Sequence, residues 1–143
     1  MHIDSDLKGK VESLFNSGQK NMADALGIEF SYISMNKLEA MMPVNENTTQ
    51  PFGLLHGGAS VALAETVCSV GAWLNLSDEK KMAVGLEINA NHLRPVRKGN
   101  MVKCISQPVR LGNSIQVWKN EIYSESGKLI CISRCTIAVV NRR

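Results

Sequence analysis

A carboxylate that can act as base or nucleophile, two glycines that leave backbone N–H groups open and a histidine just before them are the makings of acyl-transfer chemistry. They occur together in Gln50-Pro-Phe-Gly-Leu-Leu-His56-Gly57-Gly58, which runs on through Glu65 and Ser69 to Leu74. From Gly57 the stretch is almost wholly apolar and rich in Ala, Val and Leu, which predicts a buried helix over 57–74. Glu65 is the one carboxylate within it, and no Lys or Arg stands between Gly57 and Lys80 to pair with it. An unpaired carboxylate in a core is costly, so a helix that only filled space would gain by losing it. Glu65 is therefore the first candidate for chemistry.

The two ends of this helix suit different tasks. N–H groups around Gly57 and Gly58 have no intrahelical partner, and with the helix dipole they suit an anion or a developing oxyanion. The missing side chains let a substrate carbonyl come close to the backbone. Glu65 lies eight residues on, about 12 Å along the axis, too far to act on a carbonyl held at Gly57 of the same chain. If both act on one carbonyl they belong to different chains, and two helices antiparallel about a two-fold axis give two equivalent composite sites. Ser69, one turn after Glu65, shares its face and can orient water or the carboxylate.

The elements that must position these residues follow from the rest of the chain. With 143 residues, 44% hydrophobic and 20% charged, the composition is that of one globular domain, 1–143. Apolar residues at helical spacing predict a helix over 4–16 and a short one over 22–26 that stops at Gly27. Residues 28–42 read as a hairpin turning at 34–36, and 45–53 as a polar loop that lets Gln50 reach the helix start. After a charged turn at 75–81, strands are expected over 82–93, 101–111, 114–123 and 128–140, with a tight hairpin at Gly112-Asn113. Alternation in the last strand is imperfect. The expected order is a hairpin, one long helix and an antiparallel meander, an α+β architecture in which the sheet wraps the helix.

Composition also excludes several classes. A net charge of +3 and few aromatics, not interleaved with the basic residues, argue against nucleic acid. No apolar run is expected to span a membrane, and the N-terminus lacks the basic-then-apolar order of a secretory signal, so a cytoplasmic protein is expected. Cys68, Cys104, Cys131 and Cys135 form no C-x-x-C pair, and His2, His56 and His92 show no ligand spacing, so no metal site is expected.

The block from Gln50 to Glu65, with Leu86-Glu-Ile-Asn-Ala-Asn-His92-Leu-Arg94-Pro-Val-Arg97, resembles the hotdog-fold acyl-CoA thioesterases over essentially the whole chain. Gln50, His56, Gly57, Glu65 and Ser69 all stand at that family's spacing. The narrower likeness is to the arm that hydrolyses aromatic acyl thioesters. The phenylacetyl-CoA branch usually has Asn where Gln50 stands and Asp where Glu65 stands. The resemblance implies that Gly57 donates its N–H to the thioester carbonyl, while Glu65 of the partner subunit attacks that carbonyl or activates water. Gln50 and His56 would orient the thioester, and Ser69 the water or Glu65. It further implies a homo-oligomer, as a dimer of dimers, and no cofactor beyond the coenzyme A of the substrate. An acyl or aryl carrier protein is a second possible acyl donor.

Coenzyme A carries phosphates, and Arg94, Arg97 and Lys98 are the densest basic cluster, making them candidates for those phosphates. Asn91 and His92 carry the family pattern, and Gly58 stands beside the oxyanion donor. Two other readings remain: a hotdog protein that binds acyl-CoA or a carrier protein without hydrolysis, and a dehydratase of the same fold. A buried carboxylate is unnecessary for binding, and the position of Glu65 fits hydrolysis better than dehydration.

Overall fold

One helix lies across the inner face of a seven-stranded sheet. The computed structural model describes residues 1–15 and 18–142. A two-residue strand β1 (His2–Ile3) and a 3-10 turn (Ser5–Leu7) lead into α1 (Lys8–Phe15). The helix expected over 4–16 thus opens as a 3-10 turn, and its last residue, Asn16, lies outside the described residues. Then α2 (Met22–Leu26) begins at a capping box between Asn21 and Asp24 and ends at Gly27 in the left-handed conformation, φ 68°.

The expected hairpin is β2 (Glu29–Ile33) and β3 (Leu38–Pro43), closed by the Ser34 N–H donating to Lys37 O at 2.9 Å. The central helix α3 (Gly57–Leu74) follows, then β4 (Lys81–His92), β5 (Met101–Leu111), β6 (Ile115–Ser124) and β7 (Leu129–Asn141). Strand order is β1-β2-β3-β5-β6-β7-β4, antiparallel except where β1 runs parallel to β2.

This corrects the expected meander. β4 does not pair with β5: it lies at the far edge, against β7, while β5 joins β3. Residues 93–100 carry the chain back past the loop that precedes α3. The Leu55 N–H donates to Val96 O at 2.8 Å, Lys98 N–H to Gly53 O at 3.0 Å and Gly99 N–H to Val44 O at 2.8 Å. The crossing therefore sits beside the start of α3.

Leu63, Val67, Cys68 and Ala72 of α3 are fully buried with Val102, Cys104, Trp118 and Ile137 of the sheet in one core. Gly71 permits this close approach, since a Cβ there would lie 2.5 Å from the Trp118 ring. Polar groups inside are paired: Ser106 Oγ donates to Asn120 Oδ1 at 2.6 Å, and Asn120 Nδ2 to Ser133 Oγ at 3.0 Å. The imperfect alternation in β7 has a local cause. Pairing with β6 slips between Ile122 and Tyr123, leaving Ile130 as an extra residue, so Ile130 and Cys131 are both buried.

By length and composition alone α3 is long and apolar enough to cross a membrane, although Glu65 interrupts the apolar run. In the fold the helix is core, and half of it is buried.

Candidate functional site

His56 is the N-cap of α3. Its Nδ1 accepts the Gly58 N–H at 2.8 Å, and its carbonyl accepts the Ala59 and Ser60 N–H groups at 3.0 and 3.2 Å. Because Nδ1 accepts, the neutral ring carries its proton on Nε2. The Gly57 N–H has no acceptor among the described residues, an open donor at the positive end of an 18-residue helix. His92, the last residue of β4, lies close to Gly57: a Cβ there would stand 2.7 Å from His92 Nε2.

Gln50 belongs to the turn before α3, and its Oε1 faces the Phe52 N–H. A backbone N–H only donates, so that atom is the amide oxygen, and Nε2 remains as a donor. Gln50, Gly57, Ser60, His92 and Arg94 converge on a cleft of about 360 Å³, whose apolar walls include Leu54 and Ile130.

Glu65 does not line this cleft. It is half-buried rather than fully buried, and its carboxylate has no hydrogen bond or ion pair among the described residues. The reason lies in how the sheet covers α3. Burial along the helix comes in pairs: Leu63 and Ala64, Val67 and Cys68, Gly71 and Ala72 are buried, while Ala62, Glu65, Thr66, Ser69, Val70 and Trp73 are only half-buried. The half-covered residues form one stripe at helical spacing, and Glu65 and Ser69 stand on it. Behind Glu65 is Gly85 of β4, where a Cβ would lie 2.7 Å from Glu65 Oε1. Sequence reasoning missed Gly85, although a lone glycine inside a strand pattern was the signal for such a close approach.

The geometry sets an open helix donor and its cleft at one point and an unpaired carboxylate two turns away. Comparison with known proteins gives the chemistry. Residues 52–131 match the thioesterase superfamily model. The chain belongs to that family. It is 50% identical over 130 residues to a 1,4-dihydroxy-2-naphthoyl-CoA hydrolase of Escherichia coli, covering 91% of this chain and 94% of the relative. It is 44% identical over 130 residues to the proofreading thioesterase EntH of Cronobacter turicensis, covering 91% and 93%. The crystal structure of a thioesterase from Haemophilus influenzae, 50% identical, superposes with a TM-score of 0.83 over 91% of this chain and 90% of that one. The protein is a hotdog thioesterase that hydrolyses CoA thioesters, with a CoA thioester as substrate.

In this thioesterase the expected basic cluster is divided. Arg94 lines the cleft, and its guanidinium donates to Leu129 O at 2.6 Å. Lys98 is paired with Glu46, Nζ to Oε1 at 2.5 Å, and that hydrogen bond holds the Glu46 carboxyl below the usual glutamate range. Arg97 is exposed outside the cleft, its carbonyl accepting from Asn100 Nδ2 at 2.9 Å. Asn91 is exposed on β4 opposite Ile132, also outside the cleft. The fold thus gathers Gln50, Gly57, His92 and Arg94 in the cleft, gives His56 and Gly58 to the helix cap, and holds Glu65 and Ser69 apart on the helix stripe. Burial pushes the Cys104 and Cys131 thiols up, leaving them protonated core residues.

Proposed function

We propose that this thioesterase acts on aromatic acyl groups, at sites each built from two subunits. The observation that carries this reading is the separation on α3: the open Gly57 donor and the Glu65 carboxylate are eight residues, about 12 Å, apart on one rigid helix. The half-covered stripe on α3 and the free outer edge of β4 supply a way to bring two copies together. β4 runs twelve residues with Val84 40% and Leu86 59% exposed, and a long apolar edge of this kind is a template for pairing. Antiparallel pairing of two β4 edges brings two α3 helices side by side, with Gly57 of one near Glu65 of the partner subunit.

The Gly57 N–H then holds the carbonyl oxygen as negative charge develops on it, a contact worth a few kcal/mol in comparable sites. As base, Glu65 takes a proton from the attacking water. The tetrahedral intermediate expels coenzyme A as thiolate, which receives the proton. As nucleophile, Glu65 forms an acyl anhydride that water opens in a second step. Both routes need an ionised carboxylate and the same oxyanion contact. Gln50 Nε2 and His56 Nε2 donate toward the thioester, Ser69 orients water or Glu65, and His92, Arg94 and Arg97, with Lys98 when released from Glu46, meet the coenzyme A phosphates. Asn91 and Gly58 contribute at the rim.

The preference for aromatic acyl groups is supported by the relative that hydrolyses a naphthoyl-CoA. In this reading residues 1–143 act as one domain. The substrate's coenzyme A, or an acyl or aryl carrier protein in its place, is the only carrier needed, and no separate cofactor takes part. Exposed Met82, Ile115 and Val140 on the outer sheet face support a dimer of dimers, and four free, buried cysteines support a cytoplasmic setting.

The test is thiol release from benzoyl-CoA, 1,4-dihydroxy-2-naphthoyl-CoA, phenylacetyl-CoA and a medium-chain acyl-CoA by wild type and Glu65→Ala. The expected result is faster turnover of the benzoyl or naphthoyl ester, lost in the mutant. Best turnover of phenylacetyl-CoA would move the assignment to that branch. Binding without cleavage would favour a non-hydrolytic acyl-CoA protein.

A further inference from the structure

Six of the seven buried polar side chains among the described residues have partners inside the protein. Ser34 Oγ donates to Lys37 O at 3.0 Å, Thr48 Oγ1 to Pro43 O at 2.7 Å and Gln116 Nε2 to Ala72 O at 3.4 Å, while Ser106, Asn120 and Ser133 bond one another. The seventh is Ser60 of α3. It is 2% exposed, and its hydroxyl makes no hydrogen bond among the described residues. A buried hydroxyl without a partner weakens a fold, so such an orphan calls for a use. No fully sealed side-chain nitrogen or oxygen among the described residues lacks a partner, so the Ser60 oxygen reaches a surface, and the surface Ser60 lines is the cleft.

Helix geometry gives the hydroxyl a direction. Ser60 follows Gly57 by three residues, which sets both on one face of α3. Helical side chains lean toward the N-terminus, so the Ser60 side chain leans over the first turn, where the Gly57 N–H has no acceptor among the described residues. A serine inside a helix commonly bonds the carbonyl four residues back. Here that carbonyl is His56 O, which already accepts the Ala59 and Ser60 N–H groups at 3.0 and 3.2 Å. The Gly58 N–H is taken by His56 Nδ1. One turn of helix therefore offers the cleft two unanswered donors, a backbone N–H and a hydroxyl.

We infer that the Ser60 hydroxyl is a second donor to the thioester carbonyl oxygen, completing with the Gly57 N–H an oxyanion site carried by one turn of α3. The inference rests on the role proposed above for Gly57 and is independent of which subunit supplies the carboxylate. As the carbonyl carbon becomes tetrahedral, its oxygen gains negative charge and accepts both hydrogen bonds more strongly. Ser60 keeps its proton throughout, and both bonds weaken again when the C=O bond re-forms and the thiolate leaves. A contact that strengthens only as charge develops acts on kcat rather than on KM.

The experiment measures thiol release from benzoyl-CoA, with urea unfolding alongside, for wild type, Ser60→Ala, Ser60→Cys and Gly57→Ala. In Ser60→Ala kcat is expected to fall by about tenfold or more while KM stays within about twofold. Alanine is the better helix former and leaves no orphan hydroxyl, so the unfolding midpoint should hold or rise. Ser60→Cys fills nearly the same space with a weak donor, and its kcat is expected to be as low as that of Ser60→Ala. An unchanged kcat in Ser60→Ala, or a loss confined to KM, overturns the inference. So does full activity in Ser60→Cys, which would make Ser60 a matter of packing. Gly57→Ala separates this outcome from the reading beneath it. Loss of kcat there with none in Ser60→Ala removes Ser60 alone, whereas no loss in either variant removes the oxyanion role of Gly57 as well.

Discussion

The two ends of α3 are finished in opposite ways. At the C-terminus the carbonyls are answered. Lys10 Nζ donates to Trp73 O and Leu74 O at 3.2 Å each, and Asn75 donates its N–H at 3.2 Å and Nδ2 at 2.9 Å to Gly71 O. Burial lowers the Lys10 pKa, partly opposed by Glu79, and the ammonium lies 4.8 Å from the Trp73 ring centroid. At the N-terminus a side chain answers the Gly58 N–H, but the Gly57 N–H has no acceptor among the described residues and Gly57 lines the cleft beside His92. The C-terminal end is built for stability. The N-terminal end leaves a donor ready for a ligand, and stability and activity should therefore respond separately to changes at the two ends.

The largest effect should come from Gly57→Ala. A Cβ would stand 2.7 Å from His92 Nε2, crowding the cleft that both residues line, and kcat is expected to fall by about 10²-fold. Alanine favours a helix over glycine by about 1 kcal/mol, so the unfolding midpoint should hold or rise. A fall in midpoint with unchanged kcat would make this end merely structural. Gly85→Ala is expected to be milder. Its Cβ would stand 2.7 Å from Glu65 Oε1 and displace the carboxylate, lowering kcat by roughly tenfold with little change in urea unfolding. At the other end, Lys10→Met should leave kcat within about twofold and cost about 1–2 kcal/mol of stability in urea melts. A large loss of kcat there would erase the contrast between the ends.

Much of this was legible in the sequence, for a physical reason. Residues 57–74 form a long local pattern, and an apolar run with one carboxylate and a glycine start dictates a core helix with an open end whatever surrounds it. The same holds for the hairpin at 29–43 and the turn after Leu111, where contacts are between near neighbours. Long-range features were less legible. That β4 lies beside β7 depends on the return of residues 93–100, and no local signal in Leu93 or Pro95 encodes that path. The His92 contact with Gly57 and the Gly85 contact with Glu65 both follow from that path, so His92 carried little weight in sequence and Gly85 none. The arrangement of the basic residues was equally hard to read. Arg94, Arg97 and Lys98 are adjacent in sequence, but the turn separates them, and Glu46 claims Lys98.

The central claim is that Gly57 and Glu65 serve one carbonyl from two chains. Its most direct test is complementation between Gly57→Ala and Glu65→Gln chains, each weakly active alone, co-refolded in equal amounts and assayed for thiol release. In such a mixture, random pairing restores about a quarter of the sites, and activity should rise to about a quarter of wild type. Activity no greater than the mean of the two mutants would contradict the account and return both residues to a single chain.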